Sequence, residues 1–153
     1  MSTAFQAPGV WPSFGCNSMG LVTGEGRQVL LTGQVAWDEQ RHVVGVGDMR
    51  TQARQTCRNV QGLLAAVGGE MRDVVSIVTY VTTLEGLKDI HEVRMEFFAK
   101  PYPASTLVQV AALVEPELLI EITATAIVPE DRYHEPEVAE PDSFDVSDGG
   151  FNL

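Results

Sequence analysis

Glu121 is the side chain in this sequence best placed to do chemistry. It sits in the run 118–128, Leu-Leu-Ile-Glu-Ile-Thr-Ala-Thr-Ala-Ile-Val. A lone carboxylate among apolar and hydroxyl residues can serve as general acid or base toward a bound water or substrate. The same residue also reads as a hydrogen-bonded polar group inside a sheet. The other reactive types are scattered. His42, His91 and His134 are isolated, and no two have metal-ligand spacing. Cys16 and Cys57 lack the spacing of a zinc site or a disulfide scaffold. Cys57 falls on an apolar helical stripe and reads as a small buried hydrophobe. No Ser, His and acid set declares itself as a triad. Gly45-Val46-Gly47 lacks the third glycine and the strong preceding strand of a dinucleotide fingerprint. Neither a metal nor a cofactor is expected.

The elements that must position Glu121 follow from periodicity. Along 118–128, Ile120, Ile122, Ala124, Ala126 and Val128 share one face, and Leu119, Glu121, Thr123, Thr125 and Ile127 share the other. The first face suits packing under helices. The second is half polar and predicts contact with other subunits around a partly wet interior. Ala53, Cys57, Val60, Leu64 and Val67 recur at spacings of four and three, predicting a helix capped by Asp48 and stopped by Gly68-Gly69. The β-branched run 74–81 predicts a central strand. A second helix is expected to open at Thr82, with Glu85 completing a capping box, to carry Leu84, Leu87, Ile90, Val93 and Phe97, and to end before Pro101 and Pro103. Further strands are expected at 28–32, 42–46 and 106–112, with a weaker one near 21–23.

Composition narrows the function classes. The chain has 153 residues, 16.6 kDa, 44% hydrophobic and 20% charged residues, and a mean hydropathy of +0.03. That fits one globular domain. The longest apolar runs are far below the ~20 residues of a bilayer span, so no membrane partner is expected. The net charge is -11, which argues against nucleic acid, because binding it requires clustered Lys and Arg. Residues 129–153 hold eight acids and one base, four segment-breaking Pro and Gly sites and no hydrophobic period. They read as an acidic, mostly irregular tail after a domain spanning 1–128. The first base is Arg27, so a secretory leader is not expected, and two cysteines suit a reducing cytoplasm.

A set of short motifs stands in a telling order: Thr32-Gly33-Gln34; Gln52, Gln55 and Asn59 on the first helix; Gly68-Gly69 before Asp73-Val74-Val75; Phe97-Phe98 before Tyr102-Pro103-Ala104-Ser105-Thr106; and Leu119-Ile120-Glu121-Ile122 with Ala124 and Ala126. Across roughly residues 20–128 the chain resembles the RidA family, also called YjgF or L-PSP. The resemblance implies an α+β fold of chorismate-mutase type, with a mixed β-sheet covered on one face by two helices. It also implies a homotrimer with a central β-barrel and small-molecule sites at the subunit interfaces.

In the family's deaminating members the substrate is a small enamine or imine derived from an amino acid. The arginine of P-A-R-[ST] grips its carboxylate, and the last strand's glutamate serves the attacking water. Carried over, Glu121 matches that glutamate, Gly33 the glycine of S-G-Q, and Thr32 keeps its hydroxyl. Phe98 and Pro103 match as well. Ser105 stands where the arginine belongs, and a hydroxyl has neither its charge nor its planar fork. His91 and Arg94 replace the family's Asn and Tyr on the second helix. Arg94 interrupts an apolar stripe. It reads either as a solvent-facing partner of Asp89, Glu92 or Glu96, or as a base that restores the lost charge. The substrate-binding set implied is therefore Thr32, Gly33, Ser105, Phe98, His91 and Arg94, with Glu121 catalytic. Two functions remain open: a deaminase or hydrolase of an imine, enamine or related C–N bond, differing from a standard 2-iminopropanoate deaminase, and a non-catalytic trimer that binds a small metabolite. A third, the ribonuclease activity sometimes attached to the family, is opposed by the acidic charge.

Overall fold

A computed structural model describes residues 1–138, and the remainder of the expected acidic tail lies outside the described residues. In chain order the elements are β1 (Thr3–Phe5), β2 (Gly20–Val22), β3 (Arg27–Leu30), β4 (Gln34–Val35), α1 (Met49–Ala65), a 3-10 turn (Met71–Asp73), β5 (Val74–Val81), α2 (Leu87–Phe97), β6 (Ala104–Gln109) and β7 (Ile120–Val128). The main sheet runs β3-β7-β5-β6, and β4 pairs with β7 beyond the end of β3. β5 and β6 are parallel and the other pairs antiparallel. β1 and β2 form a separate two-stranded sheet.

The alternation in β7 decides which face the helices cover. Ile120, Ile122, Ala124, Ala126 and Val128 are essentially sealed from water. The first four pack with Ala53, Cys57, Val60 and Leu64 of α1 and Ile90 and Val93 of α2 in one core. Fully burying a side chain such as Ile120 stabilises the fold by about 1.5–3 kcal/mol. Glu121, Thr123, Thr125 and Ile127 remain half-buried on the opposite face, beside Val78 and Tyr80 of β5. Among the described residues no helix packs on that face, and Leu30 on its edge is 72% exposed.

α1 begins where Asp48 accepts from the Thr51 amide at 3.1 Å. Past its end at Ala65 the chain turns at Gly68, whose φ of +78° favours glycine, with the Gly69 amide bonded to the Leu64 carbonyl. A Cβ at Gly68 would also lie 2.0 Å from the carbonyl oxygen of Arg132. The chain after β7 folds back here: Arg132 donates to the Gly68 carbonyl at 3.1 Å and pairs with Asp73 at 2.5 Å.

The elements depart from expectation in several places. α2 starts at Leu87 behind a left-handed Gly86, not at Thr82, because Thr83 spends its hydroxyl on the Glu85 amide in a local turn. Leu84 and Leu87 are accordingly exposed. Residues 42–46 form no strand: Val43 only bridges Trp37 across a tight loop. β6 runs Ala104–Gln109, starting two residues earlier and stopping three earlier than expected. β1 has no strand signal in its own sequence and exists through pairing with β2.

Candidate functional site

Glu121 owes its surroundings to an irregularity in the strand opposite. Leu30 is in register with Thr125 and Gln34 with Ile122, so three residues, 31–33, face two on β7. This one-residue excess is a bulge, and bulges re-aim the chain beside functional sites. Here it carries Thr32 and Gly33 over the Glu121 side chain. A Cβ at Gly33 would meet Glu121 Cδ at 3.0 Å and Oε1 at 3.3 Å. A side chain at this position would oblige the Glu121 carboxyl group to give by a few tenths of an ångström.

Glu121, Thr32 and Gly33 line one open cleft of about 550 Å³. Its far wall comes from Arg58, Asn59, Gly62 and Leu63 of α1, and its end from Trp37 and the loop to Arg41. Two amides of α1 build this arrangement. Gln52, fully buried, donates to the carbonyls of Gly45 (3.1 Å) and Glu117 (2.8 Å) and accepts from the Leu119 amide at 2.8 Å. It thereby anchors the entry to β7 two residues before Glu121. Asn59 donates to the carbonyls of Val35 and Trp37, and Gln55 donates to Asn59. In the loop, Asp38 accepts from the Gln40 and His42 amides at 2.9 Å each. The His42 amide is the main cause holding the Asp38 carboxyl below its usual range. The Trp37 indole N–H is buried without a partner among the described residues.

None of the remaining residues expected at the site lines this cleft. Ser105 is in register with Ile77 and Glu121 with Tyr80, on opposite flanks of β5. Two strand spacings and a three-residue offset put their backbones about 14 Å apart. Ser105 therefore does not line the Glu121 cleft within one chain. Phe98 belongs to the hydrophobic core, 5% exposed, because it closes α2 by donating its amide to the Arg94 carbonyl. His91 is exposed, with Nδ1 3.6 Å from Cys16 Sγ. Arg94 neither faces solvent nor pairs with a neighbouring acid. It is buried and donates to the Cys16 carbonyl at 2.9 Å. Its expected partners are taken: Arg50 binds Asp89 and Glu92, and Arg54 binds Glu96. Cys57 is no nucleophile, since burial pushes its thiol up to about 12. Among the described residues, no three His, Cys, Asp or Glu side chains are grouped to hold a metal, and no helix is long and apolar enough to cross a membrane.

The family described as Endoribonuclease L-PSP matches residues 18–128, which span the lining of the Glu121 cleft and every strand of the main sheet. The chain belongs to the RidA/YjgF/L-PSP family. A RutC family protein of Pyrococcus horikoshii is 31% identical over 101 residues, covering 66% of this chain and 79% of the relative. The 3-aminoacrylate deaminase RutC of Acinetobacter baylyi is 34% identical over 100 residues, covering 65% and 79%. A crystal structure of a Rid family protein of unknown function from Yersinia pestis superposes with a TM-score of 0.73 at 30% identity, covering 83% of this chain and 98% of that one. Two helices on a mixed sheet are thus the family's architecture as well as this chain's.

Sequence reasoning left Gln52, Asn59 and Trp37 without a role. The signal for the first two was present: Gln52 and Asn59 lie seven residues apart on α1, two turns along one face, at positions where an amide rather than an apolar group repeats.

Proposed function

We propose that this chain is a deaminase-type hydrolase of a small imine or enamine metabolite, working at a site completed where two copies meet in a homotrimer. The observation that carries the reading is Glu121, half-buried in an open cleft with Gly33 against its carboxyl group. A carboxylate so placed can take a proton from water as the water oxygen bonds to the C=N carbon. The C=N π pair becomes a lone pair on nitrogen, which is protonated. Collapse of the adduct to a carbonyl then expels ammonia. The deaminase name of the Acinetobacter relative supports this chemistry. The uncovered, half-polar sheet face supports assembly, as does the separation of Ser105 from Glu121 within one chain. Ser105 supports a substrate preference unlike that of enzymes with an arginine at this position. Both cysteines are free thiols, which suits a cytoplasmic protein.

Ser105 equally supports the second reading, a trimer that binds a metabolite without turning it over. One experiment separates the two: ammonia release from freshly generated imines and enamines by wild type and Glu121→Gln. General base catalysis contributes ~10²–10⁴-fold, so the variant should lose at least a hundredfold in rate while keeping its melting temperature. Equal rates in the two proteins defeat the catalytic role of Glu121. No turnover with any substrate, alongside saturable binding, establishes the binding protein. Light scattering should give a mass of three 16.6-kDa chains, and a stable monomer would defeat the interface site.

A further inference from the structure

Gly62 stands within α1 and lines the cleft that holds Glu121. After proline, glycine is the residue least favoured inside a helix. The fold itself gives no reason for it here. A Cβ at Gly62 would meet no atom within 4 Å among the described residues, whereas one at Gly33 would press on Glu121 and one at Gly68 on the Arg132 carbonyl. A bare stretch of helix that packing does not demand leaves room for a ligand to approach the backbone.

The rest of the lining says what kind of group would lie there. Its polar side chains are spent on the protein: Asn59 donates to the Val35 and Trp37 carbonyls, Gln34 to the Thr32 carbonyl, and Asp38 accepts from two amides of its own loop. The charged side chains of Glu39 and Arg58 are exposed and can stay in water. The apolar ones are unspent. Leu63 is 41% and Val114 49% exposed, and both line the cleft together with Trp37. Covering such surface with hydrocarbon is favourable in proportion to the area removed from water. At about 550 Å³ the cleft also falls in the range of pockets that hold ligands far larger than the smallest imino acids.

We propose that Gly62 sets the substrate preference of this site: the cleft takes an imine or enamine with a bulky hydrocarbon side chain, which lies over the bare turn of α1 against Leu63 and Val114 while its C–N carbon is turned toward Glu121. The proposal rests on the deaminase reading for the reacting group and goes beyond it in naming the side chain. Gly62 faces only the part of the substrate that does not react, so it decides specificity and adds no chemical step.

The test uses pyruvate and 4-methyl-2-oxopentanoate, stable carbonyl acids that share a head group and differ in the branched side chain. Calorimetry on wild type should show the branched acid binding at least tenfold tighter. Gly62→Ala should raise the melting temperature, because alanine is the better helix former and its methyl meets nothing in the chain, yet it should cut the preference at least threefold. Gly62→Leu should abolish the preference; should that variant not fold, the alanine variant decides. Equal binding of the two acids by wild type, binding of neither, or a preference that survives the substitution overturns the proposal. So does a variant whose mass by light scattering changes along with its affinity, which would show that a neighbouring copy fills the space over Gly62. Turnover of imines made in place from leucine and alanine by an amino-acid oxidase separates this failure from that of the parent reading. Branched preference in binding without ammonia release from either imine removes the deaminase and keeps the apolar chamber. Ammonia release without branched preference does the reverse.

Discussion

Replacing Gln52 by Met tests whether one buried amide holds the cleft together. Met keeps the length and approximate volume of the side chain, so little cavity is created. What is lost is three hydrogen bonds, to the Gly45 carbonyl, the Glu117 carbonyl and the Leu119 amide. The Leu119 amide is left facing a thioether, and an unsatisfied buried donor costs about 1–3 kcal/mol. The two carbonyl contacts each contribute about 0.5–1.5 kcal/mol net. Glu117 and Gly45 lie nearer the surface, so water recovers part of that loss, and the expected destabilisation is about 3 kcal/mol. For a chain of this size each kcal/mol lowers the melting temperature by ~2–4 °C, giving a drop of about 6–12 °C. Urea unfolding followed by circular dichroism measures the energy directly. Because the Leu119 amide leads into β7, the loosened strand should also displace Glu121 and reduce turnover or ligand affinity. A loss of stability below about 0.5 kcal/mol would show that water replaces the amide at no cost, and would refute the claim that Gln52 positions the strand.

Gly33→Ala places a methyl 3.0 Å from Glu121 Cδ. The carboxyl group must shift by several tenths of an ångström, so activity or ligand affinity should fall at least tenfold while urea stability changes by less than about 1 kcal/mol. Unchanged function would show that Glu121 tolerates displacement. The helix-to-helix ion pairs predict an acid-sensitive fold. Arg50 holds the Glu92 carboxyl, and Arg54 that of Glu96, below the usual carboxylate range, and the Thr51 hydroxyl and amide do the same for Asp48. A carboxylate whose folded-state pKa is depressed contributes stability above its unfolded pKa and loses it as pH falls through the folded one. The melting temperature should therefore drop between pH 5 and pH 3, and drop less in an Arg50→Ala, Arg54→Ala double variant. Identical pH profiles would show that these exposed pairs are silent.

Much of the fold was legible in the sequence because it depends on local periodicity. The alternation in 118–128 identifies both faces of β7, and the four-three spacing from Ala53 to Leu64 identifies the buried side of α1, since side-chain direction repeats every two residues in a strand and every 3.6 in a helix. The order of the short motifs along the chain pointed to the family. The start of α2 was not legible, because Thr82 and Glu85 carry a capping pattern that the neighbouring Thr83 and the left-handed Gly86 pre-empt. Arg94 shows the limit more sharply. Its helical spacing marks a position on the apolar stripe, and three acids within five residues suggest surface pairing. Only the packing of α1 against α2 reveals that Arg50 and Arg54 have taken those acids, leaving Arg94 buried against Cys16, 78 residues away in sequence. The division at the site has the same cause. Glu121 and Gly33 meet because a bulge sets three residues against two across strands far apart in the chain. Ser105, in a motif that reads as part of the same site, falls on the other flank of β5. Periodicity constrains which way a side chain points along its own element; which neighbour it meets depends on register and crossover, set by contacts between segments distant in sequence.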